Sequence, residues 1–359
     1  MQRMNELGFY TLAGAPKTPR DLIEEVRAGE ALGLGSVFIS ERFNVKEAAT
    51  LSGAVGAVST QLGIATAATN HTTRHPMVTA AFAMTMHKLT GGRFSLGLGR
   101  GIAPLFDAFG LPRITTPEIE DFVGLMRRIW RGEVVFGHDG PAGKYPLLTM
   151  GPDYDEHIPM TFTAFAPQSL KLGGRVFDAV VLHTFFSDET TARCVRTVKR
   201  AAEEAGRDPA AVRVWSCFAT VGDHLSADVR LKKTVGRMAT YLQGYGDLLV
   251  KTNRWDPAVL RRFRDDELVV NFRGAFDATA TGEQLEQLSR LIPEEWLAAA
   301  ATGDAERCVD KIQGQFDLGC DGVILHGAGP TELEPIVAAY RRRRPAGRFD
   351  HLAANPAGC

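Results

Sequence analysis

The feature that most constrains this chain is a phrase that recurs: a helix-like stretch, a glycine, then a short unbroken run of apolar residues. ALGLGSVFIS (31–40) and DLGCDGVILH (317–326) are two copies of it. Apolar runs of strand length lie near Leu7–Leu12, Ser36–Ser40, Gly63–Thr69, Arg93–Leu98, Ile158–Ala164, Asp178–His183, Val212–Thr220 and Gly322–His326. Most are continuous and not alternating, as parallel strands covered on both faces should be. Helical stretches separate many of them. Thr18-Pro-Arg-Asp21 has the form of a capped helix start, and Leu22, Ile23, Val26 and Leu32 then share a face until Gly33. Asp304 opens a similar helix, with Cys308, Val309, Ile312 and Phe316 inward until Gly319. Eight strands in recurrent βα units predict a (β/α)8 TIM barrel, with a doubly wound sheet as the alternative.

The spacing is uneven. Two long interruptions fall near 102–157 and 221–321, and the second carries helix-like stretches of its own, Lys232–Leu249 and Glu283–Leu291. We therefore expect one barrel domain over 1–359 with a helical insertion at about 221–300, between strands 7 and 8. Insertions of this kind belong at the C-terminal mouth of a barrel, where they cover the site.

Composition narrows the function classes. The chain has 359 residues, with 41 Lys and Arg against 42 Asp and Glu. Near-neutrality argues against nucleic acid as the main partner. No run of 18 apolar residues occurs, so no membrane association is expected. The five cysteines (194, 217, 308, 320 and 359) form no C-x-x-C pair, which fits a reduced, cytoplasmic setting.

Several chemistries fail on their motifs. There is no G-x-S-x-G elbow, and Gly143-Lys144 is followed by Tyr145 where a phosphate loop needs a hydroxyl. Gly97-Leu-Gly99-Arg-Gly101 follows a strand, but Ile102 occupies the final glycine position of a dinucleotide fingerprint. His71 and His75 have the separation of a zincin pair, yet no Glu lies between them and Pro76 follows, so no metal site is expected.

A resemblance rests on several segments in order. These are Ser40-Glu-Arg-Phe43, Thr66-Ala-Ala-Thr69 with Arg74-His-Pro76, Leu89-Thr-Gly-Gly-Arg93, and Leu96-Gly-Leu-Gly99. Ala164–Gly174 before Phe177-Asp-Ala-Val-Val181, and Thr302-Gly-Asp-Ala-Glu306, continue the series. Together they resemble the bacterial-luciferase-like superfamily, (β/α)8 barrels that use flavin or the deazaflavin coenzyme F420. The resemblance implies a cofactor at the barrel mouth and commonly a homodimer. It implies that Ala67 and Ala68 lie where the third strand bends, often at a non-prolyl cis peptide, with Thr69 beside them. It also implies that the segment Ala166-Pro167-Gln168-Ser169 is the loop whose free backbone N–H groups face a cofactor phosphate, with His183 and Thr184 nearby.

The departures carry information too. Family members commonly place a histidine where this chain has Arg42. The deazaflavin-dependent sugar-phosphate dehydrogenases place a glutamate where it has Arg100, followed here by Gly101. Arginine cannot accept a proton at neutral pH but can hold an anion. If Arg42 and Arg100 share the pocket, the substrate or transition state is anionic; the alternative is that Arg100 pairs with Glu41 or an acid of the insertion and braces the loop. Glu41 keeps its place, either to hydrogen-bond or polarise near the ring or to pair with Arg42 or Arg100. From Ser226 to Arg264 there are nine Lys or Arg against three acids. That excess suits the anionic deazaflavin, and a solvated helix face is the alternative reading. The expected reaction is F420-dependent hydride transfer to or from a small organic substrate. An FMN monooxygenase and a cofactor-binding protein without turnover are the alternatives.

Overall fold

The computed structural model describes residues 2–358. Eight parallel strands form the barrel: β1 (Met4–Tyr10), β2 (Leu34–Ile39), β3 (Gly63–Thr66), β4 (Phe94–Leu98), β5 (Met160–Thr163), β6 (Ala179–Val181), β7 (Arg213–Gly222) and β8 (Gly322–His326). Each pairs with its neighbours in sequence, and β8 closes onto β1, with Gly8 opposite Ile324. The eight runs expected from the sequence coincide with these strands to within a few residues, so the open doubly wound sheet is excluded.

The outer helices are α1 (Leu22–Ala31), α2 (Ala48–Val58), α3 (Pro76–Leu89), α4 (Thr116–Trp130), α5 (Pro167–Val176), α6 (Asp188–Glu204), α7 (Ala305–Asp317) and α8 (Pro330–Arg343). Their starts follow from local chemistry. The Thr18 side chain accepts from Arg20 N, Asp304 accepts from Arg307 N, and Thr115 with Glu118 forms a reciprocal capping box. Gly33 and Gly319 leave α1 and α7 at φ +69° and +96°, a conformation that favours glycine, so the repeated phrase is one backbone device used twice.

The barrel interior is a packed cluster of Tyr10, Phe38, Ala65, Ala67, Ala179, Val181, Trp215, Cys217 and Ile324. Phe38 meets Trp215 edge-on at 4.9 Å, and the Arg213 guanidinium lies 4.2 Å from the Trp215 ring. The bottom is stoppered by the tail. Trp215 Nε1 donates to Pro356 O at 2.7 Å, Arg213 to Asn355 O at 3.3 Å, and Asn355 Nδ2 to Gly92 O and Phe94 O at 2.7 and 2.8 Å. The sequence reading held no hint of this stopper.

Both interruptions are occupied. Between β4 and β5 an antiparallel hairpin, Val135–Gly140 with Gly143–Leu148, stands beside α4; it was not anticipated. Between β7 and β8 lie the expected helices, chiefly Arg237–Asn253 continuing a π turn at Lys232–Gly236, and Gly282–Ser289. A short strand, Ala301–Gly303, extends the end of β7. Among the described residues, no helix is long and apolar enough to cross a membrane.

Candidate active site at the barrel mouth

The C-terminal strand ends converge on a floor of small residues. After β3, the Ala67–Ala68 peptide is cis. The bend is held from three sides: Tyr10 Oη of β1 donates to Ala67 O at 3.1 Å, Glu41 N after β2 to Ala68 O at 3.2 Å, and Thr69 N to Gly97 O of β4 at 3.0 Å. A Cβ on Gly97 would lie 1.6 Å from the Thr66 carbonyl oxygen, so only glycine lets β4 pass β3 there. A Cβ on Gly99 would reach 2.6 Å from Thr163 Oγ1 and 3.0 Å from Ala68 Cβ. The floor is therefore bare backbone and methyl groups.

Glu41 is spent on the protein. Its carboxylate, 6% exposed, pairs with Arg74 at 2.5 Å and accepts from Thr69 Oγ1 at 2.7 Å and from Asn70 Nδ2 and Ala48 N at 3.3 Å. Arg74 also binds Glu47. Burial raises the Glu47 pKa, but the Thr50 and Arg74 hydrogen bonds outweigh it and bring the group down to about 2. The cation that answers Glu41 is thus Arg74, and not Arg42 or Arg100 as the sequence suggested.

The two departing arginines have different surroundings. Arg42 is exposed on the hairpin after β2 and donates to Glu41 O at 2.8 Å; its charge acts on Tyr10, Tyr241, Tyr245 and His326. Arg100 is turned toward the helices. Its Nε donates to Ser169 Oγ at 3.1 Å, and its terminal nitrogens to Ile114 O at 2.8 Å and Thr116 Oγ1 at 2.5 Å. Gly101 follows at φ +67°, against the Phe106 ring. The geometry makes Arg100 a brace joining β4 to the starts of α4 and α5, through two hydroxyls and a carbonyl in place of Glu41 or an acid of the insertion.

Arg100 braces an anion-seeking element. Helix α5 begins at Ala166 with Pro167 in its first turn and no side chain capping it, so the N–H groups of Gln168 and Ser169 face outward at the positive end of a ten-residue helix. A phosphate group fits this donor set, and a flat ring fits the bare floor.

Across the mouth, His183 and Thr184 end β6. His183 packs among Phe165 (4.4 Å), Tyr241 (4.9 Å) and Tyr245 (5.2 Å). Its Nδ1 lies 2.8 Å from Thr184 O, a carbonyl that can only accept, so Nδ1 carries the proton and Nε2 accepts from Tyr245 Oη at 2.9 Å. Burial lowers the His183 pKa to about 4, which keeps the ring neutral. Thr184 Oγ1 meets Cys217 Sγ at 3.1 Å, and burial pushes that thiol up to about 12.

The lid over these residues is one helical stripe. Lys233, Arg237, Tyr241 and Tyr245 recur every fourth residue across the π turn and a kink at Tyr245, and Lys233 also pairs with Glu332 of α8 at 3.0 Å. Lys233 Nζ binds Gly327 O at 2.7 Å, and Arg237 pairs with Asp277 at 2.8 Å and stands over Tyr241. Two cations of the basic insertion thus face the barrel, while others, such as Arg254 and Arg264, form exposed pairs with Glu189 and Asp247. The i, i+4 spacing was readable; which face it presented was not. Lys46, Tyr10 and His326 also reach the mouth and were missed, because single residues at strand ends carry no pattern. His71 is buried beside Phe122, and His75 caps α3. Among the described residues, no His, Cys, Asp and Glu cluster could hold a metal.

A closed parallel barrel with small residues at the ends of β3 and β4 beneath a helical lid has the architecture of the luciferase-like class of oxidoreductases. Residues 5–322 match the model of the luciferase-like monooxygenase family, and the chain belongs to that family. It is 27% identical over 317 residues to a 5,10-methylenetetrahydromethanopterin reductase of Methanolobus tindarius, covering 86% of this chain and 91% of that protein. It is 24% identical over 355 residues to an F420-dependent glucose-6-phosphate dehydrogenase of Segniliparus rotundus, covering 94% and 96%. In fold it is similar to the coenzyme F420 dependent tetrahydromethanopterin reductase of Methanopyrus kandleri, with a TM-score of 0.78, 19% identity, and 95% and 99% coverage.

Proposed function

We propose that this protein is a coenzyme F420-dependent oxidoreductase acting on a small organic substrate at the barrel mouth. The observation that carries this reading is the pairing of two features on one rim: a floor of backbone and methyl groups at Ala67, Ala68 and Gly99, and the uncapped start of α5. Relatives named for F420 or for a methanopterin reductase support the deazaflavin over FMN. When bound, the deazaflavin supplies a two-electron hydride exchange.

Each side chain then has a task. Gln168 and Ser169 N–H groups would hold the phosphate, with Arg100 fixing Ser169. The backbone of Ala67, Ala68 and Thr69 presents the floor, and the Glu41–Arg74 pair holds that floor in place. His183, neutral and locked by Thr184 O, orients Tyr245, and the aromatic lid keeps water from the reacting face. A homodimer is the assembly this family reading carries.

The test is a fluorescence titration of apoprotein with F420 and with FMN, followed by turnover on a panel of alcohols, carbonyls and imines. Preferential F420 binding with hydride transfer is expected. Tight FMN binding without F420 affinity would overturn the proposal, as would binding of either without turnover.

A further inference from the structure

The mouth holds a lysine that no carboxylate answers. Lys46 closes the hairpin after β2, where Arg42 N donates to Lys46 O at 3.0 Å. Its side chain turns inward and is 3% exposed. Nζ donates to Leu12 O at 2.8 Å and Ser40 Oγ at 2.9 Å, two neutral oxygens, which leaves a third N–H. Among the described residues no Asp or Glu comes within 4.0 Å of it. Arg42, on the same hairpin, donates to a carbonyl and has no Asp or Glu within 4.0 Å among the described residues. At the end of β8, His326 keeps a buried Nδ1 with no partner among the described residues. Arg237 faces the same place from the lid but has Asp277 of its own.

We propose that Arg42, Lys46 and His326 form the seat of an anionic group of the substrate, a carboxylate or a sulfate- or phosphate-like oxyanion. The proposal rests on the reading of the mouth as the substrate site. An ammonium taken from water without a counterion is costly to keep charged. Burial, then the charges of Arg42 and Arg237, bring Lys46 down to about 7, while Glu25 from α1 acts the other way. His326 is held neutral by burial and by Arg237, His183, Lys46 and Arg42. An anion beside Lys46 would favour its charged form. Binding is then strongest below pH 7 and weakens as the pH rises through and above that value, with uptake of a proton in that range. His183 near 4, Cys217 near 12 and the raised tyrosines stay neutral there, so the proton reports on Lys46.

The experiment uses the full-length apoprotein with lysine labelled with 13C at Cε, followed by NMR against pH, with Lys46 assigned by Lys46→Arg. Sulfate and acetate at 100 mM are the probes, against chloride at matched ionic strength. We expect a midpoint near 7 in chloride that moves above about 8 with at least one probe, as an opposite charge at about 4–6 Å produces. In Arg42→Gln, whose exposed side chain spares the fold, half of that movement should need about tenfold more probe. A midpoint near the ordinary lysine value, a midpoint unmoved by both probes, or an equal response in Arg42→Gln would each overturn the seat. A lysine that merely staples β1 to β2 gives the second result. No cofactor is present, so failure of the F420 titration and failure of this one are separate outcomes.

Discussion

Replacing Arg100 by Met separates two roles for this residue, a brace or a clamp on substrate. In the structure its nitrogens go to Ser169 Oγ, Ile114 O and Thr116 Oγ1, so Met removes three charge-assisted hydrogen bonds. Such bonds contribute about 1.5–3 kcal/mol each when buried. Here the guanidinium is half-buried and the Thr116 hydroxyl can turn to water, which leaves the Ile114 carbonyl and the buried Ser169 hydroxyl as the main losses and a total of about 3 kcal/mol. For a chain of this size that lowers Tm by about 5 °C. Loosening Ser169 at the start of α5 should also weaken F420 binding about tenfold, with turnover per bound cofactor within about threefold of wild type. Scanning calorimetry and fluorescence titration read the first two effects, and steady-state rates at saturating cofactor read the third. An unchanged Tm with turnover down by about two to three powers of ten would refute the brace and restore Arg100 as a contact to an anionic transition state.

The other predictions concern separate parts of the site and its support. His183 should show no imidazole titration above pH 5 by NMR. Its unfolded form takes a proton near 6.5 and the folded form only near 4, so its contribution is full above pH 6.5 and lost as the pH falls toward 4. In His183→Asn the stability difference between pH 7 and pH 4 should shrink by about 3 kcal/mol in urea titrations. Glu41→Gln should cost about 2 kcal/mol in the same assay, because Arg74 keeps Glu47 while its buried partner loses charge; a neutral result would return Glu41 to a role facing the ring. Gly99→Ala should weaken F420 binding at least about tenfold and cost about 1–3 kcal/mol of stability, since the Thr163 side chain can swing away from the new methyl but the Ala68 methyl cannot. Asn355→Ala should lose about 2–3 kcal/mol, because Gly92 O and Phe94 O lose their donor at the barrel floor; a loss under about 0.5 kcal/mol would mean the stopper contributes little.

The barrel was legible because burial on both faces of a parallel strand is a local demand. A run such as Gly322–His326 must be apolar throughout, and a helix that ends at Gly319 must hand over to it at once. The Val135–Leu148 hairpin escaped for the opposite reason. Phe136 and Leu147 are exposed, so its strands lack the apolar run that marked the others. The bent floor at Ala67–Ala68 and the start of α5 lay where the family resemblance put them.

What the chain's own order of residues determined, then, was the number of βα units, the place of the insertion and the residues delivered to the strand ends. Only the tertiary structure decided which partners those residues meet. Glu41 found Arg74, thirty-three residues away, in place of its neighbour Arg42. Arg100 turned to Ser169, and the stripe from Lys233 to Tyr245 faced the barrel instead of water. Lys46 looked like any surface lysine until the hairpin after β2 turned it inward. Pattern fixes which face of an element is apolar, because burial of that face is paid back locally. The pairing of single charged groups depends on distances across strands remote in sequence, and those exist only once the barrel has closed.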